Sequence, residues 1–113
     1  MAVHNELGNG FPEVFYHRAL AIALKEGGIR FSREQLMNVF FRNELIGRRK
    51  ADFLIEEKIM VEIKAFNKLE LSHIVQAKNY LEAYNLEIGL LINFGAMSLE
   101  FKRIQNLKYN PNR

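Results

Sequence analysis

Three charged side chains within two apolar segments are the residues of this sequence best suited to chemistry. Asp52 lies in the segment that ends at Ile55, and Glu62 and Lys64 lie in the next segment, Ile59–Phe66. Because side chains at positions i and i+2 of a strand point to the same face, Glu62 and Lys64 project together from an otherwise apolar strand. A charge on such a strand costs on the order of several kcal/mol unless it is paired or holds a metal ion. A metal-dependent active site is therefore one candidate explanation for these residues.

Two neighbouring carboxylates and a lysine suit the hydrolysis of phosphodiester bonds. Carboxylate oxygens are ligands that a hard divalent cation such as Mg²⁺ prefers. A lysine can orient or deprotonate a water molecule, or stabilise a developing negative charge. An acid two residues before a lysine is nevertheless common on strands. On spacing alone, a salt-bridged strand at the sheet surface is the favoured interpretation.

The length of the connection between the two strands decides whether the two acids meet. Three residues separate the strands, and a three-residue connection would pair Ile55 with Ile59. Asp52 would then lie opposite Glu62, about 5 Å away on the same face. A two-residue turn would instead oppose Asp52 to Ile63 and direct the acid to the wrong face. We predict the three-residue register, although no glycine supplies the usual bulge.

Periodicity and turn residues predict two helices and five strands around this pair. In chain order these are a helix at 13–26, strands at 35–41, 46–55 and 59–66, a helix at 70–84, and strands at 88–93 and 99–104. The second helix lies between two strands and acts as a crossover. The order αβββαββ therefore predicts an α/β fold with a mixed central sheet flanked by helices.

Local signals predict the ends and the buried faces of several elements. Pro12 suits the first position of the first helix, and Gly27–Gly28 ends it. Asn43–Glu44 is the expected hairpin turn, and Ser72 is a candidate cap of the second helix. The predicted apolar stripes are Phe15, Ala19, Ile22 and Ala23 on the first helix and Ile74, Ala77, Leu81 and Tyr84 on the second.

The composition is that of an ordinary globular protein with room for one domain, residues 1–113. Hydrophobic residues make up 49% and charged residues 26% of the chain, and no apolar run is long enough to span a bilayer. The absence of cysteine excludes a disulfide framework and a thiolate metal site, and makes the cytoplasm the expected location. The net charge of +3 permits a nucleic-acid partner without requiring one.

Longer motifs surround the charged residues. Asp52 is followed on the next strand by Glu62-Ile63-Lys64, and the segment Gly10–Tyr16 has glycine, glutamate and tyrosine at its first, fourth and seventh positions. Further matching positions are His73, Gln76, Asn79–Leu81 and Gly89–Gly95. Together these motifs closely resemble the small GxxExxY family of the PD-(D/E)XK nuclease superfamily. The resemblance runs from about residue 7 to residue 104.

This resemblance implies a restriction-endonuclease-like fold and a Mg²⁺-dependent nuclease, with Mn²⁺ as an alternative ion. The residues that it assigns to the metal are Glu13, Asp52, Glu62 and the backbone carbonyl of Ile63. It assigns the role of catalytic lysine to Lys64. Gln76 and Tyr80, four residues apart on one helical face, are similar to the Gln-xxx-Tyr motif that lines the active site of RecB-type nucleases.

The resemblance also implies a nucleic-acid partner, with DNA as the expected substrate and no membrane association. A homodimer would give so small a domain more surface with which to grip a duplex. Two alternatives stay open at this point. One is a catalytically silent module that keeps the fold and binds nucleic acid or a protein. The other is a structural homo-oligomer whose strand charges pair across an interface.

Some positions depart from the family pattern or have more than one interpretation. Ala51 replaces the proline of the superfamily name, and Lys50 stands where an arginine is expected. His73 is better suited to a structural hydrogen bond than to the site. The basic cluster Arg42, Arg48, Arg49 and Lys50 could attract phosphates or simply be solvated.

Overall fold

The computed structural model describes residues 2–113, which form three helices and five strands. In chain order these are α1 (Ala2–Leu7), α2 (Glu13–Glu26), β1 (Phe31–Phe41), β2 (Glu44–Ile55), β3 (Ile59–Lys64), α3 (Leu71–Tyr84), β4 (Ile88–Asn93) and β5 (Glu100–Gln105). The predicted order of helix, three strands, helix and two strands is confirmed, and the short helix α1 precedes it. No helix within residues 2–113 is long and apolar enough to cross a membrane.

The five strands form one mixed sheet in the order β1-β2-β3-β4-β5. β3 and β4 are parallel, whereas the other neighbouring strands are antiparallel. Parallel neighbours need a long crossover connection, which α3 provides. The predicted mixed sheet with a helical crossover is therefore confirmed.

The register of β2 against β3 is the predicted three-residue one, with Ile55 opposite Ile59. Glu56 and Glu57 adopt left-handed φ angles of 52° and 58° in the turn, where glycine would be usual. The Lys58 N–H donates to the Ile55 carbonyl at 3.0 Å and closes the turn. The Arg30 side chain donates to the Glu56 carboxylate at 2.9 and 3.1 Å. These contacts offset the strain of a turn that contains no glycine.

Successive side chains of β3 point to opposite faces of the sheet, so the two faces have separate parts of the core. Ile63 packs in a cluster with Tyr16 of α2, whereas Met60 packs in a second cluster with Leu81 of α3. Glu62 lies two residues beyond Met60 and therefore projects to the α3 face. It is only 3% exposed, so the charge expected on a core strand is indeed buried.

The apolar stripe predicted for α2 is wrong in part. Phe15 and Ile22 are 48% and 59% exposed, although Ala19 and Ala23 do pack against the core. The residues of α2 that are buried are Tyr16, His17, Leu20, Ala21 and Leu24. Both sets have helical spacing, so periodicity alone does not choose between them. The contacts of α2 with α1 and with Phe94 decide the choice.

Several predicted boundaries also differ from the structure: β1 begins at residue 31 instead of 35, β2 at 44 instead of 46, and β3 ends at 64 instead of 66. Pro12 is the N-cap of α2 rather than its first residue. The hairpin turn lies at Arg42–Asn43 instead of Asn43–Glu44, because both of these residues have the positive φ that a two-residue hairpin loop needs. Glu70, and not Ser72, caps α3, since its carboxylate accepts from the backbone of His73 while the His73 ring accepts the Glu70 N–H. The structural hydrogen bond predicted for His73 is confirmed.

Candidate active site

Glu62 is a buried carboxylate that is paired with an arginine. Arg49 of β2 donates from Nη1 to Oε1 of Glu62 at 3.1 Å and from Nη2 to Oε2 at 3.4 Å. The same guanidinium covers the ring of Tyr80 on α3, with its Cζ 4.1 Å from the ring centroid. Burial lowers the pKa of Arg49, but Glu62 and Tyr80 outweigh this effect and the net direction is upward. Arg49 is therefore a fixed positive charge at the centre of the site.

The surroundings of Glu62 favour its protonated form. Burial and the neighbouring Asp52 carboxylate raise the pKa of Glu62 to about 8, although Arg49 opposes this rise. Loss of hydration and the nearby Asp52 charge both disfavour the ionised form of Glu62. A further cation bound beside Glu62 would stabilise that ionised form.

Asp52 is tied to the backbone of the neighbouring strand. Its Oδ2 accepts a hydrogen bond from the Ile63 N–H at 2.7 Å. Asp52 lies one residue before the regular pairing of β2 with β3, which begins at Phe53 and Val61. On the other side, Glu34 of β1 has a left-handed φ of 51° and leaves the regular ladder between β1 and β2. The Asp52 side chain thus bridges to β3 where the sheet is irregular.

Tyr16 organises the loop from which α2 begins. Its hydroxyl accepts a hydrogen bond from the Phe11 N–H at 3.1 Å and donates to the Gly8 carbonyl at 2.7 Å. The ring is fully buried and stacks on Phe94, with centroids 4.8 Å apart. Tyr16 of α2 therefore anchors the loop that leads into the helix, and Glu13 lies where this anchored loop meets α2.

Glu13 is the first residue of α2. The charged residues of the site are close enough to change its pKa. Desolvation of its carboxyl group and the Asp52 charge raise the pKa of Glu13, whereas Lys64 and Arg49 lower it. Asp52 and Lys64 are thus close enough for their charges to affect Glu13, although no hydrogen bond or ion pair joins Glu13 to either of them within residues 2–113. Glu13 itself is exposed, so it borders the site rather than filling its centre.

Lys64 is the last residue of β3 and is half-buried beside Asn93 of β4. Asn93 is completely buried and fixes the chain that follows Lys64. Its Oδ1 accepts the Phe66 N–H and its Nδ2 donates to the Phe66 carbonyl, both at 2.9 Å. Its Nδ2 also donates to Glu100 of β5 at 2.9 Å. The backbone just beyond the lysine is thus held by side-chain hydrogen bonds.

The two predicted residues of α3 lie at different depths. Tyr80 is half-buried beneath Arg49, which connects it to Glu62. Gln76 is exposed one turn earlier and lines a shallow groove together with Tyr80. Within residues 2–113, no hydrogen bond joins Gln76 to the acids of the site. The structure therefore brings Tyr80 into the site and leaves Gln76 at its edge.

His17 is a site residue that the sequence analysis did not identify. Its Nδ1 accepts a hydrogen bond from Arg33 at 2.9 Å, so the ring hydrogen is on Nε2. Nε2 lies 3.9 Å from Asp52 Oδ1 and has no hydrogen-bond partner within residues 2–113. Burial lowers the pKa of His17, although Asp52 acts against this. A neutral imidazole therefore faces the free oxygen of Asp52.

A family model for the PD-(D/E)XK nuclease superfamily matches residues 1–104 of the chain. The chain belongs to the PD-(D/E)XK nuclease superfamily. Membership supports a nuclease. No curated protein sequence gives a significant match.

Two solved structures share the PD-(D/E)XK fold of this chain. The crystal structure of SSO0001 superposes with a TM-score of 0.66 at 22% identity, over 83% of this chain and 50% of that one. An alkaline exonuclease (LHK-Exo) from Laribacter hongkongensis gives a TM-score of 0.57 at 14% identity, over 79% of this chain and 53% of its own. The chain thus spans about half the length of both structures. At these identities the similarity is one of fold.

The donor atoms of this candidate site are of the kind that a hard divalent cation prefers. Asp52 and Glu62 supply carboxylate oxygens, and the Asp52 charge adds to the burial that raises the pKa of Glu62. Within residues 2–113, however, no three His, Asp or Glu side chains converge closely enough to hold a metal ion. Arg49 occupies both oxygens of Glu62, and the Ile63 N–H occupies one oxygen of Asp52. The carboxylate oxygens are suitable ligands for a metal ion, and Arg49 is hydrogen-bonded to one of these ligands, Glu62.

The two residues missed by the sequence analysis had only weak signals. His17 follows Glu13 by four residues on a helix, which places the two on one face. Arg49 belonged to the basic cluster, but nothing in the sequence separated it from its neighbours. In the structure Arg48 donates to Asn38 at 3.2 Å, whereas Arg49 enters the site.

Proposed function

We propose that this chain is a metal-dependent nuclease of the GxxExxY type that hydrolyses phosphodiester bonds. One observation carries the proposal: the buried carboxyl of Glu62 adjoins Asp52, and Lys64 follows on the same strand. A structural salt bridge would explain one buried acid with one base. It does not explain a second carboxylate that raises the pKa of the first.

The proposed roles follow from the positions of the side chains. Asp52 and Glu62 would hold Mg²⁺ or Mn²⁺, with Glu13 and the Ile63 carbonyl at the border of the ligand set. The bound ion would supply Lewis-acid stabilisation of the leaving 3′-oxygen and would lower the pKa of a bound water. Lys64 would orient the water whose oxygen attacks phosphorus as the bond to the 3′-oxygen breaks. Tyr80 and Gln76 would line the path of the substrate strand.

A second candidate function has a specific observation in its favour. Arg49 already neutralises part of the charge on Glu62, and the three acids do not converge within residues 2–113. A silent module that keeps the fold and binds nucleic acid or a protein would need no metal. The cleavage assay decides between the two functions.

The assay mixes purified protein with DNA and RNA, single- and double-stranded, in Mg²⁺ or Mn²⁺. We expect cleavage that Lys64→Ala and Asp52→Ala each reduce by at least about a hundredfold, as expected for groups acting on the transition state. Lys78→Ala, which removes an exposed lysine of α3, is the matched control. Absence of cleavage together with absence of metal binding by calorimetry would exclude the nuclease. Cleavage that survives both site variants would show that the residues are wrongly assigned.

The finer parts of the proposal are a DNA substrate, a cytoplasmic location, one functional domain over residues 1–113 and a homodimer. The same assay compares DNA with RNA. Light scattering measures the mass in solution against the 13.2 kDa of one chain. A monomer at micromolar concentration would exclude the homodimer.

A further inference from the structure

Arg49 makes contacts with two elements that hold its guanidinium independently. One is the fork of hydrogen bonds to Glu62 on β3, and the other is the ring of Tyr80 on α3. Its Nη1 also donates to the Lys50 carbonyl at 2.7 Å. The side chain is 25% exposed, in contrast with 3% for that of Glu62. The Arg49 side chain therefore keeps partial contact with solvent while its guanidinium pairs with the buried acid.

The hydrogen bonds of Arg49 use the same two oxygens that a metal ion would need. A cation that binds Glu62 must therefore compete with the guanidinium for that carboxylate. If the carboxylate were taken, the contact with Tyr80 would still keep the guanidinium at the site, because cation–π attraction to the ring does not depend on Glu62. The N–H groups that now point to Glu62 would then be free for another anion.

A phosphate diester is the anion that these N–H groups fit best. The planar fork of arginine matches two oxygens of a carboxylate or a phosphate, with two parallel hydrogen bonds. The site already contains the acids proposed to act on a phosphodiester. We propose that Arg49 binds the Glu62 carboxylate in the metal-free protein and binds a substrate phosphate once a divalent cation takes that carboxylate. This inference rests on the proposed nuclease function and names the residue that positions its substrate.

The first test measures metal binding directly, by titration calorimetry with Mn²⁺ on the full chain. Arg49→Met removes the competing charge, so we expect it to bind Mn²⁺ about tenfold more tightly than the wild type. Arg48→Met is the matched control, since it removes the same charge from the adjacent residue, whose guanidinium pairs with Asn38. We expect this control to stay within about threefold of the wild type, because exposed charges are screened. Equal Mn²⁺ affinities for the two variants would overturn the proposal.

The second test measures the binding of a fluorescent DNA oligonucleotide in Ca²⁺, chosen as the binding cofactor for anisotropy. We expect Arg49→Met to weaken binding about tenfold, as for the loss of a charge-assisted fork to phosphate. Arg48→Met should weaken it by about threefold at most, as for the loss of diffuse charge. Arg49→Lys should resemble Arg49→Met, because lysine keeps the charge but not the fork. Equal losses of DNA affinity in Arg48→Met and Arg49→Met would show that Arg49 contributes only a general positive charge. That result would refute its proposed hydrogen bonds to a substrate phosphate.

Arg49→Met leaves a buried carboxylate without its partner, so its folding needs a separate measurement. Thermal unfolding with and without Mn²⁺ provides it, because an ion that binds only the folded state raises the Tm. We expect Mn²⁺ to raise the Tm of Arg49→Met more than that of the wild type. If the variant is unfolded without metal, Mn²⁺ should restore its circular dichroism, and failure to do so would overturn the proposal.

The outcomes also separate this inference from the proposed function. Wild-type cleavage with no difference between the Arg48 and Arg49 variants would refute the inference and leave the nuclease intact. Suppose that the wild type does not cleave but Arg49→Met binds Mn²⁺ more tightly than Arg48→Met. This result would support the competition between Arg49 and a metal ion for Glu62 and would refute the nuclease. If no protein binds metal, both fail.

Discussion

The raised pKa of Glu62 gives a sharp prediction for the substitution Glu62→Gln. Glutamine keeps the size of the side chain but has no charge, so it removes the cost of ionising a group that is 3% exposed. The pKa of the wild-type carboxyl is raised from 4.5 to about 8 by burial and by Asp52. Its proton is therefore held more tightly in the folded chain than in the unfolded chain.

The sign and size of the effect follow from this difference. Between pH 4.5 and 8 the folded wild type binds more protons than the unfolded chain, so its free energy of unfolding falls as the pH rises. The full difference in pKa corresponds to at most about 5 kcal/mol. The raised pKa already includes the opposing effect of Arg49, and we expect a loss of about 2 to 5 kcal/mol over this range that Glu62→Gln does not show.

Urea unfolding of both proteins at pH 5, 6, 7, 8 and 9 measures this directly. The stability of the wild type relative to Glu62→Gln should decrease up to about pH 8 and then level off. Glu87→Gln, at an exposed position, is the control and should follow the wild type. Parallel stability curves for wild type and Glu62→Gln over the whole range would refute the reasoning. That result would mean that Arg49 keeps the acid ionised throughout.

Three further changes test the scaffold of the site. Leu81→Ala empties a fully buried position on α3 and should lower the free energy of unfolding in urea by about 2 to 5 kcal/mol. Leu71, on the same helix, is 74% exposed, so Leu71→Ala should cost little. Equal costs for the two variants would contradict the placement of Leu81 in the core. Gly95→Ala would place its Cβ 2.5 Å from the backbone of residues 65–66. This overlap should lower the free energy of unfolding by about 2 kcal/mol or more. An unchanged Tm would disprove the close approach of Gly95 to that backbone. Asn93→Ala removes four side-chain hydrogen bonds at the end of β4 and should cost at least about 2 kcal/mol. Full stability would show that water replaces them.

Several features of the fold were predictable because they depend on short segments. The bounds of α2 and β4 follow from local periodicity and from the residues that end each element. The register of β2 with β3 follows from the three-residue connection, and this register brings Asp52 beside Glu62. The crossover through α3 follows from the order of elements. In each case the relevant information lies within a few consecutive residues.

The buried face of α2 and the short helix α1 were not predictable in the same way. Two faces of α2 have helical spacing, and the packing of Tyr16 on Phe94, 78 positions further along the chain, selects one of them. The cap of α3 likewise depends on whether Glu70 or Ser72 exchanges hydrogen bonds with His73, and in the structure it is Glu70. Local propensity allows both solutions, and contacts between distant residues remove one.

By itself the sequence determined the fold of the PD-(D/E)XK superfamily and predicted a candidate site of two acids and a lysine on adjacent strands. Only the tertiary structure decided which other residues complete it. Arg49 and Arg48 are indistinguishable in the sequence, yet Arg49 alone of the two reaches Glu62 and Tyr80. The physical reason is that a buried carboxylate attracts whichever cation the packing of β2, β3 and α3 brings within hydrogen-bonding distance. That packing depends on the whole core and not on the residues next to the arginine.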